Sequence, residues 1–373
     1  MDLILVLKKI EQELMSKKIN QVEPNISKVD ISNVNDYLES GSWVTEHKIT
    51  QKLEKSISSY VDRDYAVAVP NGTIAIYLSL LASGIKEGSR VAVPNITMIA
   101  TINAIIWAGA EPVIVDVDDS LCMSLRSLKS VDSIDAVVFV PLNGRTNGGE
   151  AIHKYCKSNN ITLIEDSAHA LGSSYENRKC GSLGEASVFS FTPHKIITMG
   201  QGGMVLLDNS DVYQKLIDLK TFNREKDKSD THKGFGLNFK ITDLQSSLGL
   251  SQFDNLENFI SKKKEIFNTY LKYLPSGRLK EFKSFETPWF IDFYCDSEQQ
   301  KIEICDYLSS YNIETRFSYP ALSSQAFLKD VETSDLSLSE EIADRVLWLP
   351  SSTSLVPEDI KYVSEQINTF FKK

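Results

Sequence analysis

Seven short runs rich in valine, isoleucine and alanine constrain the fold of this chain more than any other feature. The runs lack polar alternation, which is typical of strands that are buried on both faces of a sheet. Segments with helical spacing lie between them, for example at residues 73–83 and 101–108. This alternation predicts an α/β fold with a large, doubly wound and mostly parallel seven-stranded sheet. The predicted strands are Tyr65–Val69, Arg90–Val93, Pro112–Val117, Ala136–Val140, Ile161–Glu165, Ala186–Phe191 and Met204–Leu207.

The remaining segments predict smaller parts around this sheet. A long charged helix pattern at residues 256–273 is suited to join two domains, and a shorter α+β pattern follows it. We therefore expect an N-terminal helical segment at 1–40, a large sheet domain at 41–255, and a linking helix with a small C-terminal domain at 256–373. Within the last part, the predicted elements are strands at 289–294 and 314–317 and helices at 298–311 and 357–371.

Composition narrows the class of partner. The net charge of −10 over 373 residues argues against nucleic acid or an anionic membrane as the main partner. No apolar stretch approaches membrane-spanning length, and the N-terminus does not fit a signal peptide. The five cysteines include no CxxC pair, which predicts buried thiols without a disulfide frame or a metal site. These observations predict a cytoplasmic protein that acts on small molecules.

Three motifs fall at the ends of predicted strands. The Asn-Gly-Thr triplet at 71–73 opens a helix, whose N-terminal amides and dipole suit a phosphate group. Asp166 ends a strand at the carboxyl edge of the sheet, where open α/β folds bind ligands. Lys195 follows a later strand and precedes the glycine-rich turn at 200–203. Each has an ordinary explanation when taken alone: a capping turn, a helix cap or metal ligand, and a solvated lysine.

Together, the three motifs predict a pyridoxal phosphate (PLP) site. The triplet at 71–73 is the phosphate cup, Asp166 is the partner of the pyridine nitrogen, and Lys195 is the Schiff-base lysine. Ser190, five residues before Lys195, is placed to donate to the phosphate. Neither GxGxxG nor a Walker A pattern occurs, so the nucleotide-binding motifs are not supported.

The same segments resemble the DegT/DnrJ/EryC1/StrS family of sugar aminotransferases, a fold-type I PLP group. The resemblance covers roughly residues 42–363, which is nearly the whole chain. The matching segments are 40–44, 71–73, 110–113, 165–172, 181–184, 189–191 with Lys195, 202–203, 237–245 and 349–351.

The resemblance implies a role for each residue of the cofactor site. Lys195 binds the cofactor and later shuttles protons, and Asp166 pairs with the pyridine nitrogen. The phosphate is held by Gly72, Thr73 and Ser190.

Further implied roles concern the ring and the neighbouring subunit. His169 stands where the family places a polar side chain against the ring hydroxyl. Asn238 resembles the residue that reaches the phosphate of the neighbouring subunit, which implies a homodimer with shared sites. Met98 replaces the aromatic ring that usually stacks on the cofactor, and its sulfur is a workable substitute.

The segment Asn143-Gly144-Arg145 departs from the Tyr-Gly-Gln of many members and marks the substrate region. Asn143 is therefore a candidate substrate residue. Arg145 and Arg316 are candidates to meet a substrate phosphate, because a guanidinium fork suits that geometry. The alternative for each arginine is a structural ion pair.

The implied reaction is transamination. L-Glutamate would load the cofactor as pyridoxamine phosphate (PMP), and a keto-sugar would then take the amine. The expected acceptor is a nucleotide-linked 3- or 4-keto-6-deoxy sugar for surface polysaccharide, either O-antigen or capsule. No metal is expected.

Three alternatives remain open. The acceptor could be a small phosphorylated ketone or a cyclitol, which the altered 143–145 segment motivates. A PMP-dependent sugar 3-dehydratase would place histidine where Lys195 stands, so Lys195 favours transamination even though His194 lies next to it. A non-catalytic regulatory paralogue would be expected to lose Lys195 or Asp166, and both are present.

Overall fold

The computed structural model describes residues 17–225 and 230–372, which form two sheets with helices packed against them. The strands are β1 (Tyr65–Val69), β2 (Arg90–Pro94), β3 (Glu111–Val115), β4 (Ala136–Phe139), β5 (Thr162–Asp166), β6 (Ala186–Ser190), β7 (Gly203–Leu207), β8 (Ile291–Tyr294), β9 (Arg316–Phe317), β10 (Glu332–Thr333) and β11 (Val346–Leu349). The helices are α1 (Lys28–Glu39), α2 (Lys48–Val61), α3 (Gly72–Ala82), α4 (Ile99–Trp107), α5 (Leu125–Leu128), α6 (Gly149–Ser158), α7 (Ser210–Lys220), α8 (Asp243–Asp254), α9 (Leu256–Tyr273), α10 (Glu298–Ser309), α11 (Ser337–Ala343) and α12 (Pro357–Phe370).

The large sheet confirms the predicted doubly wound architecture. Its strand order is β1-β7-β6-β5-β4-β2-β3-β10, and β7 pairs antiparallel with both of its neighbours while the other pairings are parallel. All seven predicted strands belong to it. An eighth strand, β10, was not predicted, because two exposed residues carry no periodic pattern. It extends the edge of the sheet by pairing with Val113 and Ile114 of β3.

Helix α3 is apolar around its whole circumference and is therefore buried against the sheet. It packs on β6 and β7, and most of its residues are inaccessible to solvent. The Asn71 side chain caps its first turn by accepting a hydrogen bond from the Ile74 N–H at 3.0 Å. The triplet at 71–73 is thus held at the carboxyl edge of the sheet, beside the end of β6.

The two adjacent carboxylates at the end of β5 have different surroundings. Glu165 is fully buried, and its oxygens accept hydrogen bonds from Ser187 Oγ, the Tyr175 hydroxyl and the backbone N–H groups of Gly181 and Leu183. These bonds hold the glycine turn at 181–184 against the sheet. A buried carboxylate with this many donors stabilises the fold around it, whereas Asp166 turns to the cavity described below.

Asp243, at the start of α8, fastens α2 to the large sheet region. Its carboxylate accepts hydrogen bonds from the backbone N–H groups of His47, Ile49 and Thr50, which satisfies donors at the beginning of α2. On the next turns of α8, Ser251 donates to Asp30 of α1 at 2.6 Å. These contacts attach the described part of the N-terminal segment to the body of the protein.

The second sheet has three antiparallel strands in the order β8-β11-β9. Helix α9 begins and ends at the predicted residues, and it packs against α12. The division into segments 1–40, 41–255 and 256–373 stays a proposal, and residues 1–16 of its first part lie outside the described residues. Among the helices of ranges 17–225 and 230–372, none is long and apolar enough to cross a membrane.

Candidate functional site

A cavity of about 350 Å³ opens where β1, β5 and β6 end, and it collects most of the predicted site residues. This is the edge at which open α/β sheets bind ligands. Predicted residues that line it are Gly72, Thr73, Met98, Asp166, His169, Ser190, Lys195 and Arg316. Asn143, Arg145 and Asn238 are not part of its lining.

One end of the cavity is built to receive an anion. The backbone N–H groups of Gly72 and Thr73 begin α3 and have no hydrogen-bond partner in the described ranges, and the positive end of the helix dipole lies behind them. A Cβ atom on Gly72 would lie 3.0 Å from Ser190 Cβ, so glycine permits this close approach. The hydroxyls of Thr73 and Ser190 line the same space. These groups suit a phosphate.

Asp166 lies deeper, at the carboxyl end of β5, and its side chain is nearly inaccessible to solvent. Its Oδ2 accepts a hydrogen bond from Thr101 Oγ1 at 2.9 Å, and its Oδ1 accepts one from the Ala168 N–H at 3.3 Å. Burial raises the pKa of Asp166, while the Thr101 hydroxyl, the Ala168 amide and the Lys195 charge act in the opposite direction. A nearby cation, such as a protonated pyridine nitrogen, would favour the ionised carboxylate.

Lys195 is half-buried in the turn after β6, and its Nζ lies 4.0 Å from the centre of the Trp289 ring. Burial lowers the pKa of Lys195 to about 7, with Asp166 opposing the shift and Arg316 adding to it. A lysine with this pKa has a substantial fraction of neutral amine at neutral pH, which makes it a nucleophile. The same Nζ is able to accept and return a proton without a large free-energy difference.

His169 faces the cavity with one nitrogen free. Its ring stacks on Trp289 with centroids 4.0 Å apart, and its Nε2 lies 3.4 Å from the Tyr319 hydroxyl. Its Nδ1 is buried and has no partner among residues 17–225 and 230–372. Burial holds the pKa of His169 well below its usual range, and the Lys195 charge adds to this, so the ring is neutral. The unpaired Nδ1 is suited to a hydrogen bond with a ligand hydroxyl.

These observations test whether the residues present fit PLP. The glycine cradle at 72 provides room for a phosphate, and the unpaired His169 Nδ1 provides a partner for the ring hydroxyl. Asp166 and Lys195 supply the carboxylate and the amine that the ring and its aldehyde require. The donor set therefore fits the cofactor.

Met98 and Arg316 border the open side of the cavity. Met98 is 41% exposed, and its sulfur accepts a hydrogen bond from the Ala100 N–H at the beginning of α4. Arg316, in β9, makes no ion pair with any described side chain. Its guanidinium and the Lys195 charge add to partial burial in lowering the pKa of His194. Arg316 is thus the arginine of the predicted pair that remains available to an anionic ligand.

Asn143 and Arg145 lie in a buried network outside the cavity. Asn143 Nδ2 donates to Asp292 Oδ1 at 2.7 Å, and the Arg145 guanidinium forms an ion pair with the other oxygen of Asp292. Trp348 Nε1 donates to the same carboxylate at 2.9 Å. The structure therefore gives Arg145 the structural ion pair that the sequence had left as the alternative. It does not bring Asn143 into contact with the cavity, because the side chain is turned to Asp292.

Asn238 is exposed and lies outside the cavity lining, next to Thr221 with which it forms an isolated bridge. The single chain therefore gives it no contact with its own predicted phosphate site. Its assignment to the site of a neighbouring subunit stays a proposal.

The cavity residues that the sequence analysis did not predict include Thr101, Trp289 and Tyr319. Thr101 was assigned only to a helix, although its position in the first turn of that helix brings it against Asp166. Trp289 and Tyr319 come from distant parts of the chain and belong to no motif. Only the fold brings them into the cavity that Lys195 lines, so the sequence offered no signal for them.

Comparisons with known proteins identify the family of this chain. The model of the DegT/DnrJ/EryC1/StrS aminotransferase family matches residues 24–368. The chain is 33% identical over 363 residues to the GDP-perosamine synthase of Escherichia coli O157:H7, covering 95% of this chain and 99% of that protein. It is 28% identical to the UDP-4-amino-4,6-dideoxy-N-acetyl-beta-L-altrosamine transaminase of Campylobacter jejuni strain 81-176, covering 94% of this chain and 96% of that one.

A solved structure agrees in fold. The Helicobacter pylori aminotransferase PseC, which takes part in pseudoaminic acid biosynthesis, superposes with a TM-score of 0.89 at 24% identity. The match covers 95% of this chain and 100% of PseC. The chain described here belongs to the DegT/DnrJ/EryC1/StrS aminotransferase family and is a PLP-dependent transaminase, whose cofactor alternates between the PLP and PMP forms.

Proposed function

We propose that this enzyme transfers an amino group from L-glutamate to a nucleotide-linked 4-keto-6-deoxy sugar, with a 3-keto sugar as the variant, for surface polysaccharide. The observation that carries the proposal is the Lys195 amine with its lowered pKa, held in one cavity with Asp166 and the glycine cradle at 72. The choice of acceptor rests on the two relatives, because both are named for nucleotide-linked amino sugars.

The chain's own residues would divide the chemistry as follows. Bound PLP supplies an electron sink for the charge that develops when a substrate carbon loses a proton. Asp166 would keep the pyridine nitrogen protonated, and Thr101 orients the Asp166 carboxylate through its hydrogen bond. Lys195 Nζ would carry a proton between the substrate carbon and the cofactor in each half-reaction, and a pKa of about 7 suits both directions. His169 would hold the ring hydroxyl through its unpaired Nδ1.

Arg316 is our candidate for the charged part of the acceptor. A cavity of about 350 Å³ is at the lower end of the range for small-molecule sites, so the nucleotide would lie at its mouth. Arg316 borders that mouth, is exposed, and has no acidic partner among the described residues. A guanidinium fork matches two phosphate oxygens at once.

The competing functions lose support on specific grounds. The altered segment at 143–145 was the reason to consider a small phosphorylated ketone or a cyclitol as the acceptor. The Asn143 and Arg145 side chains are instead bound to Asp292. A sugar 3-dehydratase would replace the lysine by histidine, whereas Lys195 lies beside Asp166 in the cavity. A regulatory paralogue finds no supporting feature in a site that retains both Lys195 and Asp166.

An acceptor panel tests the proposal. Purified enzyme with PLP and L-glutamate would receive GDP-linked and UDP-linked 4-keto-6-deoxy sugars, a ketose phosphate and a keto-inositol, and 2-oxoglutarate release would be measured. The Lys195→Ala variant is the blank. We expect turnover with a nucleotide-linked sugar only. Comparable turnover with the ketose phosphate or the keto-inositol would overturn the proposed acceptor class.

The role of Arg316 has its own test. Arg316→Ala should raise KM for the nucleotide-linked sugar by about tenfold or more, because a charge-assisted pair is lost. Arg316→Lys retains the charge but not the forked geometry of the guanidinium. Its KM should therefore lie between those of the wild type and Arg316→Ala. An unchanged KM in Arg316→Ala would exclude the assignment.

We propose that the active enzyme is a homodimer in which Asn238 completes the partner's site. The exposed position of Asn238, away from its own cavity, supports this. Mixing Lys195→Ala with Asn238→Asp subunits tests it, since a hybrid dimer would contain one intact site. Random mixing should restore about one quarter of the wild-type turnover. If Asn238 served its own subunit, the mixture would remain as inactive as its components.

We also place the enzyme in the cytoplasm. All five cysteines are free thiols, and four of them are buried, which suits a reducing compartment. Fractionation of cells that express the protein would test this, and recovery outside the cytoplasmic fraction would contradict it.

A further inference from the structure

We infer that Trp289 is a positioning residue, whose indole ring holds the Lys195 amine and the His169 ring in place and keeps water away from the amine. Trp289 belongs to none of the sequence motifs that predicted the site. The inference rests on the proposed role of Lys195 and adds a residue from outside the large sheet to its surroundings.

Trp289 is fixed in position at three points. Its backbone N–H donates to the Asn143 carbonyl at 3.0 Å, and its own carbonyl accepts a hydrogen bond from Lys263 Nζ at 2.7 Å. Its indole Nε1 donates to the carbonyl of His194 at 2.7 Å. The residue is 3% exposed. With both backbone groups and the ring nitrogen bonded, the plane of the indole has little freedom.

This fixed ring contacts the two site residues that most need positioning. Lys195 Nζ lies 4.0 Å from its centre, and the imidazole of His169 stacks on it at 4.0 Å with an interplanar angle of 22°. The bond to His194 also ties Trp289 to the backbone immediately before Lys195. The segment at 143–145 therefore supports the site indirectly. Asp292 accepts a hydrogen bond from the Asn143 side chain, and the Asn143 carbonyl accepts one from the Trp289 N–H.

The Trp289 ring affects the pKa of Lys195 in two ways that oppose each other. The π face favours the protonated amine, whereas exclusion of water favours the neutral one. Burial is the largest influence on the Lys195 pKa, so the loss of the ring should raise that pKa. Lys195 lines the cavity described above and also a small second pocket beside it. The other titratable groups that line these two spaces are Glu23, Asp166, His169, His194, Lys263, Arg316 and Tyr319. A change of ring leaves the charges of this set unaltered.

The test measures the ionisation of Lys195 directly in the cofactor-free protein. Competitive acetylation at a series of pH values, followed by mass spectrometry of the Lys195 peptide, gives the midpoint of its titration. We expect a midpoint near 7 in the wild type and in Trp289→Phe, which retains a ring. Trp289→Ala should move the midpoint upward by about one unit or more, a tenfold change in the protonation equilibrium. If that variant does not fold, Trp289→Leu should give a smaller upward shift.

Trp348→Phe is the matched control. It removes an indole N–H bond to Asp292 from a buried tryptophan of the same cluster, and Trp348 does not line the cavity of Lys195. Its midpoint should equal that of the wild type. An unshifted midpoint in Trp289→Ala, or in Trp289→Leu where alanine does not fold, would overturn the inference. So would equal shifts in Trp289→Phe or Trp348→Phe.

This experiment separates the inference from the proposed function. Acetylation uses neither cofactor nor acceptor, so an unshifted midpoint beside a working acceptor assay would remove the role of Trp289 alone. A failure of the acceptor panel beside a shifted midpoint would remove the acceptor class and leave the positioning role in place.

Discussion

Replacement of Lys263 by methionine should flatten the pH dependence of this protein's stability. Lys263 is 3% exposed, and no carboxylate pairs with it in the described part of the chain. Its Nζ instead donates to the backbone carbonyls of Trp289 and Ser351. Burial lowers the pKa of Lys263 to about 7 from the ordinary 10.5.

The sign follows from the protons bound by each state. Between pH 7 and 10.5 the unfolded chain keeps the Lys263 proton while the folded chain has lost it, so stability rises with pH through this window. The free-energy cost of burying the protonated Lys263 amine reaches its full value below pH 7 and disappears above pH 10.5. At pH 7 it amounts to about 4 kcal/mol, and about 2 kcal/mol of it is recovered by about pH 9.

The free energy of unfolding of Lys263→Met at one pH tests the effect less well than the change of that free energy with pH. Methionine removes the buried charge but leaves the Ser351 carbonyl without a donor and the Trp289 carbonyl with only the Ser351 hydroxyl at 3.5 Å, and an unsatisfied carbonyl costs about 1–3 kcal/mol. The two effects oppose each other at neutral pH. The slope against pH contains no such opposing effect, because methionine does not titrate.

Urea unfolding of the cofactor-free protein at several pH values would measure the effect. The stability of the wild type relative to Lys263→Met should rise by about 2 kcal/mol between pH 7 and about pH 9. Lys264→Met is the matched control, since Lys264 is the next residue of α9 and donates to Ser284 near the surface. Parallel pH curves for the wild type and Lys263→Met would refute the reasoning.

Three further variants test the site and its support. Gly72→Ala would place a Cβ atom 3.0 Å from Ser190 Cβ and should weaken PLP binding by about tenfold or more, measured by equilibrium dialysis; an unchanged Kd would contradict the phosphate cradle. Thr101→Val removes the donor to Asp166, a bond to a charged group worth about 1.5–3 kcal/mol, and should lower kcat/KM by about tenfold or more while the circular dichroism spectrum is unchanged. Glu165→Gln puts an amide among donors that need an acceptor and should reduce the free energy of unfolding by about 3 kcal/mol, with equal urea midpoints as the contrary result.

The sequence predicted the large sheet well because its strands are physically distinctive. Unbroken apolar runs such as Ala186–Phe191 are buried on both faces and need no tertiary information to be recognised. The charged helix at 256–273 was located to the residue for a similar reason, since its apolar face repeats over many turns. Strand β10 was missed because its two exposed residues are held by pairing with β3 alone.

The site was predictable where it depends on strand ends. Asp166, Ser190 and the triplet at 71–73 follow from the rule that ligands bind at the carboxyl edge of the sheet. The substrate region was less predictable, because the fate of Arg145 depends on Asp292, which lies 147 residues away in the chain. Trp289 is similar: its position beside Lys195 arises from the packing of the second sheet on the first.

The most direct test of the account is to locate the lysine that binds the cofactor. Borohydride reduction of the PLP-loaded enzyme, followed by proteolysis and mass spectrometry, would fix the cofactor on its lysine, and prior treatment with L-glutamate should diminish the labelling. We predict that the label lies on Lys195. A label on Lys263, the other lysine of ranges 17–225 and 230–372 whose pKa burial lowers to about 7, or on any other lysine, would contradict the central claim.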